Sequence, residues 1–137
     1  MAATSLVAVV DDDEAVRRAL ARLIRSAGLD ADTFPSGDEF LETLSDHRPD
    51  CVVLDLHMPK VSGLAVQSWL ARAGFRIPVI VVTGHDTPET QALAMKGGAV
   101  AYFRKPVDGE ALLGAIARAV AEGKEDGSGS EDKPGRS

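Results

Sequence analysis

Short runs rich in β-branched residues alternate along this chain with segments whose apolar residues recur at helical spacing. The runs predict strands at 6–10, 30–34, 51–54, 78–82 and 101–104, of which 30–34 is the weakest. The intervening segments predict five helices, the last at 108–122. Such alternation indicates a parallel sheet with helices on both faces.

The polarity of the strands predicts their order in the sheet. Strands 1, 3 and 4 lack the in/out alternation of a half-solvated sheet, which favours central positions covered on both faces. Strands 2 and 5 are shorter or more polar, as edge strands are. With right-handed crossovers, the predicted fold is a single-domain, doubly wound α/β protein of the flavodoxin-like (βα)5 type, with order 2-1-3-4-5.

Length and composition place one domain at residues 1–122 and a disordered polar tail at 123–137. The full length of 137 residues suits one domain, and the tail contains no apolar residue. A formal charge of −6 gives no electrostatic reason to expect direct binding to nucleic acid or to an anionic membrane.

Cysteine and histidine contribute little to the predicted chemistry. The single cysteine, Cys51, excludes an intrachain disulfide and a multi-cysteine metal centre. The three histidines share no metal-ligand spacing: His47, His57 and His85. The apolar run at 6–10 follows no basic residue and precedes four acids, the reverse of an export signal. We therefore expect a cytoplasmic protein without a membrane span.

Polar residues follow four of the predicted strands where each strand ends. Asp11 and Asp12 follow strand 1, and Asp55 follows strand 3. Thr83 and Lys105 follow strands 4 and 5. Because ligands of such sheets bind beyond the carboxyl ends of the strands, we expect these five side chains to share one crevice.

The charges of this crevice predict a divalent cation. Two carboxylates about 4 Å apart repel by about 4 kcal/mol at an effective dielectric near 20. Lys105 supplies one positive charge, and Mg2+ suits the remainder because carboxylates and waters complete its octahedron. Asp11 and Asp12 are then metal-holding acids, and Asp55 is placed to act as a nucleophile. Taken singly, an acid run or a strand-end aspartate is more typical of a solvated helix start or a cap, but their joint placement favours a site.

Four motifs together resemble the receiver domain of bacterial two-component response regulators. The resemblance covers residues 5–122 and is carried by VVDDDE at 9–14, LDLHMP at 54–59, VTGH at 82–85 and YFRKP at 102–106. The segment from Thr83 to Pro106 is most similar to receivers of the nitrogen-fixation, LuxR-output type.

The resemblance implies a phosphorylation site that uses Mg2+. Asp55 matches the phospho-accepting aspartate, and Asp11 and Asp12 match the acidic pair that binds the metal. The main-chain carbonyl of His57 would be a further metal ligand beside Asp55. These roles are implied by the resemblance alone.

The resemblance also implies a switch. Thr83 and Lys105 match the hydroxyl and the ammonium that bond the phosphoryl group and complete the catalytic set with Asp55. Tyr102 matches the aromatic that swings inward as Thr83 moves, and the bond before Pro106 is cis in the family.

The loop after strand 4 departs from the family pattern at two positions. Asp86 stands where glycine is common, and Pro88 falls one residue earlier than in similar receivers. Both would alter the shape or mobility of helix 4. The resemblance therefore carries over no particular partner.

The implied function is a phosphorylation-controlled switch that acts on itself and is not a multi-substrate enzyme. A histidine kinase or a histidine phosphotransfer protein would donate to Asp55. The face of helix 4, strand 5 and helix 5 would then change and regulate a downstream protein, with a phosphorylation-dependent homodimer as one outcome. We favour a stand-alone receiver, and the alternative is the N-terminal receiver of a longer DNA-binding regulator. An aspartyl-phosphate phosphatase is more remote, because His57 stands where such an enzyme has its second aspartate.

Overall fold

The computed structural model describes the backbone of residues 4–132 and the side chains as far as residue 123, and it contains one five-stranded parallel sheet within this part of the chain. The sheet has the order β2-β1-β3-β4-β5, so the predicted fold and strand order are confirmed. The elements are β1 Leu6–Val10, α1 Glu14–Ser26, β2 Asp30–Phe34, α2 Gly37–Glu42, β3 Cys51–Leu54, α3 Gly63–Arg72, β4 Val79–Thr83, α4 Pro88–Lys96, β5 Ala101–Arg104 and α5 Gly109–Asp132.

The sheet separates two hydrophobic cores, because successive side chains of a strand point to opposite faces. Val9 and Val53 pack with α1 and α5 on one face. Val10 and Leu54 pack with α2, α3 and α4 on the other. The three central strands are buried on both faces, which explains their continuous apolar sequences and fixes their carboxyl ends relative to one another.

Side chains cap the helices close to the carboxyl edge of the sheet. The Asp13 carboxylate accepts the N–H of Ala15 at 2.9 Å and that of Val16 at 3.3 Å, so α1 begins just after the strand-end acids. Ser62 caps α3 and Thr87 caps α4 in the same manner. Asp13 is therefore a helix cap, as acidic runs commonly are.

Two elements were predicted with the wrong bounds, strand 4 at 78–82 and the last helix at 108–122. Strand β4 begins at Val79, one residue later than predicted, because Pro78 has no N–H to donate to a neighbouring strand. Helix α5 continues to Asp132, past the predicted end at Glu122. The polar segment lacks apolar residues for packing, but it has no proline before Pro134, and its backbone can continue the helix.

The predicted tail at 123–137 lies only partly within the described residues. Residues 133–137 lie outside the described residues, and the boundary of the domain near 122 stays a prediction. None of the described helices combines the length and the apolar character that crossing a bilayer requires.

Candidate functional site: an acidic pocket at the carboxyl edge of the sheet

Asp11 and Asp55 are held side by side by the backbone of the sheet. The N–H of Asp55 donates to Val10 O at 2.9 Å, and the N–H of Asp11 donates to Phe34 O at 3.1 Å. The parallel pairing thus continues one residue past the strands and fixes both aspartates. Both are buried, at 2% exposed for Asp11 and 4% for Asp55, whereas Asp12 is exposed.

The three strand-end carboxylates converge. Asp11, Asp12 and Asp55 each contribute an oxygen that lies within 4.8 Å of the other two. Asp11 and Asp55 are buried and Asp12 is exposed, so the group reaches the protein surface at Asp12. The grouping predicted from the sequence is present in the structure.

Lys105 places its ammonium against the two buried acids. Its Nζ lies 2.8 Å from Asp11 Oδ2 and 3.7 Å from Asp55 Oδ2. The Lys105 N–H donates to Thr83 O at 2.9 Å, which ties the end of β5 to that of β4. The Lys105–Pro106 bond is cis, as the sequence resemblance implied.

The charges of the pocket remain unbalanced. Burial raises the pKa of Asp55, and the charge of Asp11 raises it further, against the opposing effect of Lys105. Burial would lower the pKa of Lys105, but its hydrogen bond to Asp11 and the charge of Asp55 outweigh this, and the pKa is raised. Three carboxylates therefore face one firmly charged ammonium. Hard oxygen donors with an open side fit a small divalent cation such as Mg2+.

The loop after β3 is built closely around Asp55. The N–H of His57 donates to Asp55 Oδ1 at 3.3 Å, while Oδ2 faces Lys105. A Cβ at Gly63 would contact the carbonyl of Asp55 and lie 2.7 Å from Leu56 Cα, so only glycine fits where α3 approaches this loop. The two oxygens of Asp55 thus have different surroundings.

Thr83 is fully buried at the end of β4 and controls the first turn of the following loop. Its Oγ1 accepts the N–H of His85 at 3.1 Å. Next to it, an open cavity of about 500 Å³ is lined by Thr83, Gly84, Asp86, Arg104, Lys105 and Pro106. The predicted hydroxyl and ammonium therefore border the same opening.

Tyr102 is half-buried on β5 and contacts the loop that follows β4. Its hydroxyl donates to Asp86 Oδ1 at 2.8 Å, and Arg104 Nε lies 3.6 Å from Asp86 Oδ2. The sequence marked Asp86 only as an unusual loop residue. No pattern in the sequence pointed to this contact, which depends on the path of the loop.

Two loop histidines stack on each other, a contact that was not predicted from the sequence. The rings of His57 and His85 lie 3.7 Å apart between centroids, with 15° between their planes. Each histidine lies two positions after a strand-end residue, Asp55 or Thr83, on neighbouring strands. That equal offset was the available signal.

A five-stranded parallel sheet of order 2-1-3-4-5 is the flavodoxin-like fold. In this protein, three acids and Lys105 lie at the carboxyl edge of that sheet, where ligands of such folds bind. The family model for the response regulator receiver domain matches residues 7–117. The chain belongs to this family, the receiver domains of two-component signalling, in which phosphorylation and Mg2+ are characteristic.

Individual relatives agree with this assignment. Response regulator protein TodT of Pseudomonas putida F1 is 42% identical over 116 residues, or 85% of this chain and 51% of TodT. The DNA-binding transcriptional regulator NtrC of Escherichia coli K12 is 35% identical, over 88% of this chain and 26% of NtrC.

Solved structures agree as well. The structure of FixJ-N is 35% identical with a TM-score of 0.81, covering 88% of this chain and 96% of that one. A receiver protein from Burkholderia phymatum is 45% identical with a TM-score of 0.77, covering 86% and 96%. The chain spans about half the length of TodT and similar curated relatives, which are longer regulators.

Proposed function

We propose that Asp55 is the phosphoryl acceptor of this receiver domain. The observation that carries the proposal is the convergence of three carboxylates within 4.8 Å, two of them buried against the Lys105 ammonium. Asp11 and Asp55 each have one oxygen beside Lys105 and the other on a backbone N–H, but the contacts of Asp55 are longer, at 3.7 and 3.3 Å against 2.8 and 2.9 Å, so Asp55 is the less firmly engaged of the two buried acids. Asp11 is hydrogen-bonded to Lys105 and to the N–H of Asp13, and Asp12 is exposed.

The proposed reaction transfers a phosphoryl group from a phosphohistidine to the Asp55 carboxylate. A carboxylate oxygen forms a bond to phosphorus, the P–N bond breaks, and the imidazole leaves and takes up a proton. The product is an acyl phosphate. The His57 N–H orients the attacking carboxylate, and the charge of Lys105 opposes the rise in the pKa of Asp55 that burial causes.

Asp11, Asp12, Asp55 and the main-chain carbonyl of His57 would hold Mg2+ in this reaction. The metal, when bound, supplies positive charge that neutralises the oxygens of the transferring group. The ammonium of Lys105 and the hydroxyl of Thr83 border the same opening and would bond the phosphoryl oxygens.

The proposed output is a change in the face formed by α4, β5 and α5. Thr83 would turn toward the phosphoryl group and Tyr102 would move inward. This face carries exposed apolar side chains on and beside α4 that could pack against a partner protein: Leu93, Met95 and Val100. A downstream protein, or a second copy of the chain in a phosphorylation-dependent homodimer, would bind there.

The donor is a histidine kinase or a histidine phosphotransfer protein. The chain covers about half of TodT, and NtrC is described as a DNA-binding regulator, so a receiver within a longer DNA-binding regulator is the second candidate. The proposed chemistry is self-directed phosphotransfer and autodephosphorylation. Direct nucleic-acid or membrane binding by the receiver is not part of the proposal, and the cytoplasm remains its expected location.

Incubation with Mg2+ and acetyl phosphate, followed by intact-mass spectrometry, tests the proposal. The wild type should gain one phosphoryl group, and Asp55→Asn should gain none. Asp32→Asn, which removes an exposed acid on β2, is the matched control and should behave as wild type. The same mass gain on Asp55→Asn, or none on the wild type, would refute the assignment.

A further inference from the structure

One carboxylate on the loop after β4 binds two side chains of β5. Asp86 accepts the Tyr102 hydroxyl through Oδ1 at 2.8 Å and faces Arg104 Nε through Oδ2 at 3.6 Å. Tyr102 and Arg104 are two residues apart on the strand and therefore point to the same face of the sheet. This arrangement, here called the Asp86 clasp, ties the β4–α4 loop to β5.

We propose that Asp86 is a positioning residue that holds Tyr102 in its present place and so sets how much unphosphorylated protein occupies the activated arrangement. The inference rests on the proposed function, in which Tyr102 moves inward when Asp55 is phosphorylated. The inference adds that a residue outside the acidic pocket controls the equilibrium between the two positions of Tyr102 in the unphosphorylated protein. It is based on the contacts of Asp86 with Tyr102 and Arg104.

The tyrosine bond is the stronger half of the clasp. The Asp86 side chain is 26% exposed, while that of Arg104 is 75% exposed. An ion pair with such an exposed partner contributes little, whereas a neutral hydroxyl bound to a carboxylate gains from the charge of the acceptor. Burial, with the hydrogen bond to and the charge of Asp86, raises the pKa of Tyr102 to about 12, so the phenol remains a donor at neutral pH.

A short chain of contacts links the clasp to the pocket. Thr83 Oγ1 accepts the N–H of His85, and His85 directly precedes Asp86. If the Thr83 side chain rotates so that Oγ1 moves to a phosphoryl oxygen, the bond from the His85 N–H is lost and the segment that carries Asp86 is released. Tyr102 would then lose its acceptor, so one side-chain rotation at Thr83 would both engage the phosphoryl group and open the clasp.

The size of the effect follows from one hydrogen bond. Because this bond is exposed to water, its loss should shift the equilibrium only as much as the loss of an ordinary hydrogen bond does, by about two- to tenfold. Removing the Asp86 carboxylate should therefore raise the population of the inward Tyr102 conformer by about that factor. Because acetyl phosphate would react faster with the competent conformer, the phosphorylation rate should rise in proportion while that conformer is rare.

Fluorine NMR can observe the clasp directly, because Tyr102 is the only tyrosine of the chain. The protein, labelled with 3-fluorotyrosine, is compared as wild type, Asp86→Ala and Asp86→Asn, each without and with Mg2+ and acetyl phosphate. Glu89→Gln removes a nearby charge on α4 and serves as control. Phosphorylation rates are measured on the same samples by intact mass.

The proposal expects the Asp86→Ala resonance to move toward its position in phosphorylated wild type, with a rate about two- to tenfold higher. Asp86→Asn, which keeps an acceptor oxygen, should lie between, and Glu89→Gln should match wild type. An unchanged resonance in Asp86→Ala, or a changed resonance with an unchanged rate, would overturn the inference. Absence of phosphorylation on wild type would instead refute the role of Asp55, and the unphosphorylated spectra would still decide whether the clasp holds Tyr102.

Discussion

Replacing Asp12 by asparagine should stabilise the metal-free protein and remove most of the stabilisation that Mg2+ provides. The Asp12 carboxylate lies within 4.8 Å of those of Asp11 and Asp55, and burial prevents the latter two from separating. Within the described residues, no hydrogen bond holds the Asp12 side chain, whereas Asp11 binds Lys105 and the N–H of Asp13. Asp12→Asn therefore removes charge with little other change.

The distance between the carboxylate oxygens sets the size of their repulsion. At 4.8 Å, two carboxylates repel by about 3.5 kcal/mol at an effective dielectric of 20 and by about 0.9 kcal/mol in bulk water. Because Asp12 is exposed and Lys105 offsets part of the negative charge, the lower figure is the better guide. Asp12 makes two such pairs, with Asp11 and Asp55, and after the offset by Lys105 we expect the free energy of unfolding to rise by about 1 kcal/mol, which corresponds to a few degrees in Tm.

Urea unfolding followed by circular dichroism, in EDTA and in MgCl2, measures both effects. Wild type should gain about 2.7 kcal/mol when Mg2+ is a hundredfold above its Kd, and Asp12→Asn should gain much less at the same concentration. Asp32→Asn, which changes an exposed acid away from the pocket, should unfold like wild type in both buffers. If Asp12→Asn is no more stable than wild type in EDTA, the repulsion on which the metal argument depends is absent.

Three further outcomes follow from the described contacts. Burial raises the pKa of Cys51 to about 12, so native protein at pH 8 should resist iodoacetamide and react only after unfolding in urea. Gly63→Ala should lose about 1–3 kcal/mol in urea unfolding, because its Cβ would meet backbone, while Gly114→Ala in α5 should be neutral or stabilising. Asp86→Asn should lower the pKa of Tyr102 from about 12 toward its ordinary value near 10, measured as phenolate absorbance after a rapid pH jump; an unchanged midpoint would contradict the bond to Asp86.

The sheet could be predicted because its signals are local in sequence. β3 is apolar throughout, β4 is apolar until its last residue, Thr83, and both occupy central positions, whereas the polar β2 lies at an edge. The strand order then places the residues after β1 and β3 at one end, so the meeting of Asp11 and Asp55 required only the topology.

Contacts between loops could not be predicted in the same way. The stacking of His57 on His85 and the bond from Tyr102 to Asp86 depend on how two loops leave their strands. Tertiary packing determines those paths, and periodicity carries no information about them. The end of α5 was misjudged for another reason, because apolar content reports packing and not the capacity of the backbone to remain helical.

The stacked imidazoles make the loops after β3 and β4 interdependent. A non-aromatic substitution at His57 removes the ring that stacks on His85, and a substitution at His85 removes the ring that stacks on His57. Among receivers with this arrangement, the two positions should therefore covary, with aromatic rings retained or lost together.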